Sequence, residues 1–582
     1  MSKNVETPGS SSGVLEQNML KRGMRLRDLY FAGLTAVIGS GWLFGSYLTA
    51  GVAGPASILS WIIGGIFILV IALVWSEIAT SVPIAGGAAR YANFTHGGIA
   101  ASIIAWSTIL TYIAVPAVEA VAVISILQGG LSYYGVTSIV LMNSSGMPSV
   151  AGVVIAALLS TAFFYVNYIG LKGLIKTNFG MTIWKLIIPP AAIILLLIFA
   201  FSHGTWHNFT GYHFAPYGYL PVFSAIPATG VVFAYLGFRQ PVEMAAEAKS
   251  PGKDIWKALV GVTLTGIGIY TLLEVAFIGS LAWNSASFGT NGVTAGNWAG
   301  LTTSVPMYAF PFFYEAVGLG LGALGAVLLI DGVVSPTGTL SQYMGSTSRV
   351  LYGTAKEGYL TSGFFKVHKK YRIPAIGLIV TFIVTLSLLI IAAVGYLVST
   401  VGGAWSALVS IVTTTGVFSY IIGPIALTAF RDSHADLKRP FKLPVFRAFA
   451  LAAFIVSSLM VYWGAGSLIT STDPYGGYIL LIVILAGVLL YGFAKGRNLA
   501  QDLKSGAWVI AFLAFNLILL YIGEYGPVNR LILSSAPWLP LDWIVDIVAA
   551  IVFFFWAMHT TLPKADVLKA IDRSISLTEG TD

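Results

Sequence analysis

The sequence lacks cysteine altogether and is poor in charge. Its 582 residues include no Cys, and only 9% are Asp, Glu, Lys or Arg, whereas about a quarter of the residues of a soluble domain are charged. The absence of Cys excludes a disulfide framework, a thiolate metal site and a cysteine nucleophile. No other group of residues has the spacing of metal ligands or of a nucleophile and its base. We therefore expect no metal, no cofactor and no enzymatic activity.

Apolar residues take the place of the missing charge. They make up 57% of the chain and give a mean hydropathy of +0.85. Apolar runs of about 20 residues recur along the chain, and a helix of that length crosses the roughly 30 Å hydrocarbon core of a bilayer. We predict an all-α integral membrane protein with about fourteen transmembrane helices. The predicted spans are 28–50, 55–82, 99–128, 149–169, 176–201, 221–245, 255–282, 316–345, 374–396, 404–430, 446–470, 476–494, 506–524 and 541–561.

The basic residues are distributed asymmetrically between the loops. If the N-terminus is cytoplasmic, all 31 Lys and Arg residues fall on the cytoplasmic side except Lys185, inside a span, and Arg530, in an outer loop. Short cytoplasmic loops are rich in Lys and Arg, so both termini are predicted to be cytoplasmic. The N-terminal tail, 1–27, is too polar to fold, and a second tail covers 562–582. The basic excess therefore follows from membrane topology, and we expect no nucleic-acid partner.

Two predicted spans are interrupted by glycine. The first contains Gly39-Ser40-Gly41, and the sixth contains Tyr235-Leu236-Gly237, with Gly230 before it and Pro241 after it. A glycine inside a helix costs about 1 kcal/mol relative to alanine, and a single one usually marks close helix packing. Two interrupted spans placed five helices apart indicate inverted repeats with broken helices at the membrane midplane. The predicted units are the repeats 28–201 and 221–430 and the peripheral helices 446–561.

Five motifs occur in order between residues 25 and 450. They are Ile38-Gly39-Ser40-Gly41-Trp42-Leu43-Phe44-Gly45; Ser76-Glu77-Ile78-Ala79-Thr80-Ser81-Val82-Pro83-Ile84-Ala85-Gly86-Gly87; Asn167-Tyr168-Ile169-Gly170-Leu171-Lys172; Phe233-Ala234-Tyr235-Leu236-Gly237-Phe238; and Ser348-Arg349-Val350-Leu351-Tyr352. Through this ordered set the chain resembles the amino acid–polyamine–organocation transporter superfamily, amino acid permease type, which has the leucine-transporter fold. The chain departs from this resemblance at Arg239, where many members carry an acid directly after the Gly-Phe of the sixth span.

The resemblance implies a substrate site at the two broken helices. A half-helix N-terminus carries partial positive charge, so the amides around Ser40 are expected to bind the carboxylate of an amino acid. Free carbonyls around Ala234 are expected to bind its ammonium group. Tyr235 and Phe238 would gate the site and Trp42 would shape it, unless these rings pack on lipid or a neighbouring helix. The complete predicted substrate site is Ile38, Gly39, Ser40, Gly41, Trp42, Glu119, Phe233, Ala234, Tyr235, Leu236 and Phe238.

One lysine lies inside a predicted span. Lys185 is about nine residues into the fifth span, roughly 13 Å along a helix, which is too deep for an easy escape to the interface. The resemblance implies the fifth-span lysine of proton-coupled, sodium-independent relatives. Its predicted coupling partners are Asp331 and Ser335, one helical turn apart in the eighth span, while Glu119 faces the substrate and selects a cationic side chain. A fixed structural cation, and neutral acids bonded to neighbouring helices, remain alternatives.

The sequence thus predicts a secondary active transporter that moves amino acids by alternating access, coupled to protons and independent of sodium. We expect a multi-pass protein of a prokaryotic cytoplasmic membrane, in contact with lipid, as a monomer or weak oligomer. Transport of a polyamine, which Glu119 would favour, or of an inorganic cation such as potassium is the alternative within the same superfamily. A nutrient sensor that binds without transporting is a further alternative.

Overall fold

The computed structural model describes residues 20, 22–143, 146–283, 293–303, 310–398, 404–470, 473–494, 498–528 and 540–579. In these ranges twelve helices are long and apolar enough to cross a membrane, and one bent pair, Leu220–Ala228 and Val231–Glu243, passes the same test together. The same ranges contain helices and loops but no β-strand. The prediction of an all-α, multi-pass membrane protein is confirmed. Residues 1–19 of the predicted tail, and Arg530, lie outside the described residues.

The helices are numbered here in chain order. They are α1 (Leu26–Val37), α2 (Ser40–Ala53), α3 (Ser57–Ser81), α4 (Gly87–Tyr133), α5 (Val150–Tyr168), α6 (Leu171–His203), α7 (Leu220–Ala228), α8 (Val231–Tyr235), α9 (Gln240–Glu243), α10 (Pro251–Ser280), α11 (Pro311–Gly318), α12 (Gly322–Lys356), α13 (Ala375–Val398), α14 (Ala404–Tyr420), α15 (Ile422–Ser433), α16 (Phe446–Gly466), α17 (Gly476–Leu485), α18 (Leu499–Ile522), α19 (Leu541–His559) and α20 (Lys564–Glu579). Short 3₁₀ segments join several of them, at Gly54–Ala56, Thr205–Phe209, Leu236–Arg239, Ala245–Glu247, Trp298–Thr303, Ser362–Phe365 and Ala486–Phe493.

The first predicted span is broken where the glycines occur. α1 ends at Val37 and α2 begins at Ser40, and the two residues between them leave helical geometry: Ile38 has φ −80° and ψ 80°, and Gly39 has φ −117° and ψ −142°. A break of this kind leaves carbonyls of α1 and amides of α2 without helical partners. The predicted interruption of the first span is therefore present, at Ile38 and Gly39.

The sixth predicted span bends earlier than the sequence indicated. The sequence placed the break at Tyr235-Leu236-Gly237, whereas the 55° bend lies between α7 and α8, at Gly230 with φ +92°. Only glycine adopts that left-handed conformation readily, which explains the position of the bend. Gly237 serves close packing instead, because a Cβ there would lie 2.5 Å from the backbone of Ala36 and Val37 in α1. The segment around it, Leu236–Arg239, is a 3₁₀ turn.

Three long helices surround the break in the first span. α4 packs along α12, and α6 packs against both α1 and α12. Each of the three contributes a buried ionisable side chain to this region: Glu119 from α4, Lys185 from α6 and Asp331 from α12. Ionisable groups within a membrane are costly and mark functional sites by default. The fold therefore brings Glu119, Lys185 and Asp331, all predicted as site residues, to the same region of the bundle.

Other ion pairs lie near the ends of spans, beside the basic loops. Glu247 accepts hydrogen bonds from Nε and Nη2 of Arg349 at 2.7 and 3.1 Å. Glu77 accepts from Nε and Nη2 of Arg431 at 2.7 and 2.6 Å, and from the amide of Leu443 at 2.7 Å. Two-point arginine–carboxylate pairs of this kind fix geometry as well as charge. The pair of Glu77 and Arg431 joins α3 to α15. The pair of Glu247 and Arg349 joins the segment after the sixth span to α12.

Candidate functional site

The N-terminus of α2 is occupied by a carboxylate of the protein itself. The backbone amide of Ser40 donates a hydrogen bond to Oε2 of Glu119 at 2.9 Å, and both residues are buried. The other oxygen, Oε1, has no hydrogen-bond partner in the described part of the chain. Unpaired amides and the helix dipole stabilise a carboxylate at such a terminus. The structure thus joins two predicted site residues and puts Glu119 where a substrate carboxylate was expected.

The two interrupted spans touch each other at this place. A Cβ on Gly39 would lie 2.6 Å from Oγ1 of Thr339 and 2.7 Å from Oε1 of Glu119, and a Cβ on Gly41 would lie 2.8 Å from the Cβ of Ala234. Distances below about 3 Å require neighbouring atoms to move, in an interior that is already close-packed. Gly39, Gly41 and Ala234 therefore lie together, and glycine is needed for the close approach of α2 to α8 and α12.

Trp405, which the sequence did not single out, covers the break. Its Nε1 donates to Oγ of Ser40 at 3.0 Å. Its ring lies 4.9 Å from that of Phe44 and 6.0 Å from that of Phe233. The only sequence signal is the position of Trp405 at the start of the predicted span 404–430. Trp405 therefore contacts both Ser40 and Phe233, two residues of the predicted site.

Tyrosine hydroxyls satisfy the carbonyls that were predicted to be free. Tyr270 donates to the carbonyl of Val37 at 2.7 Å and to that of Ala234 at 3.3 Å. Tyr420 donates to the carbonyl of Leu236 at 3.3 Å. A buried carbonyl without a partner is costly in a membrane, so these hydroxyls stabilise the interrupted spans. A substrate ammonium group binding here would compete with the hydroxyls for the same carbonyls.

The three predicted gate or pocket aromatics are buried against other helices. Tyr235 donates to the carbonyl of Trp61 at 3.1 Å, and its ring lies 5.2 Å from that of Tyr270. Phe238 packs on Tyr420 with 5.4 Å between ring centroids. The third, Trp42, packs on the ring of Phe312 at 5.2 Å. These contacts hold the three rings between helices. The gating role of the rings stays a prediction.

Lys185 is buried completely and bonds to backbone as well as side chain. Its Nζ donates to the carbonyl of Thr35 at 2.6 Å and to Oγ1 of Thr339 at 3.2 Å. Thr339 in turn donates to the same Thr35 carbonyl at 2.8 Å. Thr35 lies in the last turn of α1, whose C-terminal end carries partial negative charge. The ammonium group therefore links α6 to the end of α1 and to α12.

Asp331 and Ser335 lie near Lys185 but bond elsewhere. Oδ1 of Asp331 accepts hydrogen bonds from Nε1 of Trp184 at 2.7 Å and from Oγ of Ser335 at 2.8 Å, while Oδ2 has no partner in the described residues. Lys185 interacts electrostatically with both Asp331 and Glu119. The hydroxyl that contacts Lys185 directly is that of Thr339, four residues after Ser335 and so on the same helix face.

The residue that departs from the family pattern, Arg239, is also buried. Its Nε lies 3.1 Å from Oε1 of Glu243, and its Nη1 donates to Oγ of Ser419 at 2.9 Å. The rings of Trp75, Tyr112 and Tyr420 surround the guanidinium. Arg239 therefore carries its own counter-charge and a cation–π environment, which stabilise a buried arginine.

The sequence is similar to those of several known proteins. A sequence profile described as amino acid permease matches residues 25–472. A glutamate/serine transporter of Bacillus subtilis (strain 168) is 33% identical over 550 residues, covering 93% of this chain and 94% of its own length. An aspartate–proton symporter of the same organism is 32% identical over 554 residues, covering 95% and 99%. A branched-chain amino acid permease, also from that organism, is 25% identical over 433 residues, covering 74% and 85%.

The first two relatives match nearly the whole chain, and the profile match includes both interrupted spans. The matching family and the similar relatives are transporters, so the expectation that the chain is not an enzyme is confirmed. The resemblance seen in the five motifs is confirmed as well. The chain belongs to the amino acid permease family of the amino acid–polyamine–organocation superfamily.

Proposed function

We propose that the chain is a secondary active transporter that moves amino acids across a prokaryotic cytoplasmic membrane by alternating access, coupled to protons and independent of sodium. The observation that carries the proposal is the buried cluster of Lys185, Glu119 and Asp331 beside the broken first span. The similar relatives that are named an aspartate–proton symporter and a glutamate/serine transporter support it.

The charges of this cluster favour the binding of one proton. When all three groups are ionised, the two carboxylates outnumber the single ammonium and leave one net negative charge. A net charge in a dry, low-dielectric site is costly, so one bound proton stabilises the cluster while it is closed to water. Opening to water on one side lowers this cost and allows the proton to leave. Because Lys185 is bonded to Thr35 at the end of α1, a change in its protonation also changes how firmly α1 is held.

The substrate carboxylate is proposed to take the place of Glu119 at the amide of Ser40. Gly39 and Gly41 keep this region free of side chains, and Ile38 provides the non-helical turn between α1 and α2. A carboxylate leaving Ser40 stays close to Lys185, with which it already interacts. Substrate binding and proton binding therefore act on the same carboxylate.

The ammonium group of the substrate is proposed to bind the carbonyls of Ala234 and Leu236, displacing tyrosine hydroxyls. Phe233 and Trp405 would shield the bound molecule, since both pack around Ser40. Tyr235, Phe238 and Trp42 are proposed to form the outer wall and gates of the same site, because Tyr235 and Phe238 flank Leu236 and Trp42 follows Gly41.

We further propose fourteen spans arranged as two inverted five-helix repeats with cytoplasmic termini. The apolar run Ser40–Ser81 is counted among the twelve candidate spans although it is 42 residues long, and it holds two helices joined at Gly54–Ala56. Dividing it and adding the bent pair raises the number to fourteen. The proposed units are the tail 1–27, the repeats 28–201 and 221–430, the peripheral helices 446–561 and the tail 562–582.

The contacts of Glu119 favour an amino acid over a polyamine or potassium. Its carboxylate is bonded to the amide of Ser40 and interacts with the ammonium of Lys185, which holds it at the start of α2 and not in an open cation site. Exposed apolar side chains on the outer faces of α5, α6 and α19, such as Leu158, Ile198 and Val552, suit contact with lipid. We propose a monomer or weak oligomer in which these faces meet the bilayer.

Uptake into proteoliposomes tests the proposed function. Labelled amino acids and polyamines are supplied in sodium-free buffer, with and without an inward proton gradient. We expect saturable uptake of at least one amino acid, stimulated by the gradient and abolished by a protonophore. A strict sodium requirement, or uptake of polyamines alone, would contradict the proposal. Binding without uptake would identify a sensor instead.

A further inference from the structure

The most unusual buried charge outside the central cluster is Arg239. It lies at the end of the 3₁₀ segment Leu236–Arg239, and its side chain has no exposed surface. The guanidinium carbon lies 5.1 Å from the ring centre of Trp75, 5.4 Å from that of Tyr112 and 4.8 Å from that of Tyr420. We call Arg239, these three rings and Glu243 the arginine box.

The guanidinium is only partly bonded within the arginine box. Its Nε pairs with Glu243 at 3.1 Å and its Nη1 donates to Ser419 at 2.9 Å, but Nη2 has no hydrogen-bond partner among the residues that the structure describes. Arginine keeps its charge at any physiological pH and presents its donors in a rigid plane. Leaving part of a buried guanidinium unbonded costs free energy that a purely structural arginine would not incur. The free edge of Arg239 is therefore suited to one more acceptor.

Along α4, the arginine box lies between the central site and the end of the helix that carries Arg90. Tyr112 and Glu119 are seven residues apart on α4, so they share one helix face and are separated by about 10 Å along it. Tyr420 contacts both the carbonyl of Leu236 and the ring of Phe238, which belong to the predicted substrate site. Arg239 is therefore a buried cation directly beyond the predicted substrate site.

We propose that the arginine box is a second carboxylate-binding site, in which Nη2 of Arg239 binds the side-chain carboxylate of a dicarboxylic amino acid. The inference rests on the proposed function and adds its substrate class. A dicarboxylic amino acid carries a second, side-chain carboxylate, which can pair with Nη2 of Arg239 as the molecule moves from Ser40 toward the arginine box. Charge-assisted bonds between guanidinium and carboxylate are strong and directional, whereas a cationic side chain is repelled and a neutral one gains no bond.

Substrate preference distinguishes this role from a structural one. The test compares KM for uptake of glutamate, aspartate and serine by the wild type and by Arg239→Gln. Loss of a hydrogen bond to a charged group corresponds to roughly 10- to 100-fold in affinity, so KM for the two acids is expected to rise by that factor while KM for serine changes little. Because Arg239→Gln leaves Glu243 unpaired, the double variant Arg239→Gln/Glu243→Gln is measured as well.

The control is the partly buried pair of Arg431 and Glu77, which lies near the ends of α3 and α15, beside the basic loops. In Arg431→Gln/Glu77→Gln both charges of a two-point pair are removed, and any effect on uptake should be the same for all three substrates. An equal change for acids and serine in both Arg239 variants would overturn the inference. Wild-type uptake of serine but not of the acids would also overturn it while leaving the proposed function intact. Wild-type protein that transports no amino acid would contradict both.

Discussion

At the scale of single residues, the two ends of the broken first span are each met by a charge of the appropriate sign. Lys185 bonds the carbonyl of Thr35 in the last turn of α1, and Glu119 bonds the amide of Ser40 at the start of α2. A helix ends in partial negative charge and begins in partial positive charge. The ammonium and the carboxylate therefore replace the helical hydrogen bonds that the break removes, and a change in either charge acts directly on the break.

Replacing Lys185 by alanine tests the ammonium at this break. We expect Lys185→Ala to lose uptake driven by a proton gradient, down to the level of empty liposomes, because the cluster can no longer be neutralised by one proton. The fold should persist, since Thr339 still donates to the Thr35 carbonyl at 2.8 Å. The measurement is uptake as a function of the gradient, with Lys172→Ala, an exposed lysine of the same helix, as control. Gradient-driven uptake at the wild-type rate would exclude the coupling role of Lys185.

Replacing Glu119 by glutamine tests its competition with the substrate. In the wild type, the affinity for substrate should increase as the pH falls. Protonated Glu119 is a weaker hydrogen-bond acceptor, so the substrate displaces it more easily from the amide of Ser40. Glu119→Gln carries no charge at any pH, so its affinity should be nearly independent of pH and exceed that of the wild type at high pH, by on the order of tenfold for one charge-assisted bond. Substrate titration of the purified protein at several pH values measures this.

A second buried acid provides the control for Glu119. Glu274 accepts a hydrogen bond from Nε1 of Trp61 at 3.0 Å and another from Ser57, and it bonds to neither end of the break. Glu274→Gln should therefore keep the pH dependence of the wild type. If Glu119→Gln kept it as well, the carboxylate at Ser40 would not be the group that competes with the substrate.

At the scale of elements, local sequence determines the first break but not the second. Gly39 and Ser40 interrupt an apolar run, and the helix breaks there, with Glu119 and Lys185 bonding the two open ends. In the sixth span the same type of glycine at position 237 is a packing contact with α1, and the bend lies at Gly230. Whether a glycine bends a helix or packs it depends on the neighbouring helix, which the local sequence does not specify.

The same limit explains which site residues the sequence missed. Glu119 and Lys185 were predictable as charges inside apolar runs, because such charges are rare and costly. Thr339, Trp405 and Tyr270 are ordinary residues of apolar helices, and only the packing of α12, α14 and α10 around the break gives them their contacts. The charged groups of the site can therefore be predicted from the sequence. The uncharged groups that form hydrogen bonds around the break can be identified only from the folded structure.

A methyl group at position 39 tests the close approach at the first break. In Gly39→Ala the new Cβ would lie 2.6 Å from Thr339 and 2.7 Å from Glu119, so one of them must move. Overpacking of this kind lowers the free energy of unfolding by about 1–3 kcal/mol. Displacement of the Glu119 carboxylate from its position should also abolish uptake. Thermal unfolding in detergent and uptake in proteoliposomes measure the two effects. Gly268→Ala is the control, because nothing lies within 4 Å of a Cβ at that position of α10; equal behaviour of the two variants would contradict the crowding described here.

At the scale of the whole molecule, the bent sixth span decides the topology of everything after it. α7 and α8 are too short to cross a bilayer separately and meet at 55°. If together they cross once, the loop after α6 and the loop before α10 lie on opposite sides of the membrane. If they form a re-entrant hairpin instead, both loops lie on one side, and the basic residues of the second half would face outward, against the distribution of Lys and Arg.

The absence of cysteine makes this alternative directly testable, because a single introduced thiol is then the only one in the chain. Ser202 at the end of α6 and Ser250 just before α10 are both exposed. In intact cells a membrane-impermeant maleimide should label Ser202→Cys, whereas Ser250→Cys should react only after the membrane is permeabilised, since one span separates the two positions. Labelling both after permeabilisation controls for reactivity. Labelling of both from outside would show that α7 and α8 do not cross, and it would remove the inverted-repeat arrangement on which alternating access at the two broken helices depends.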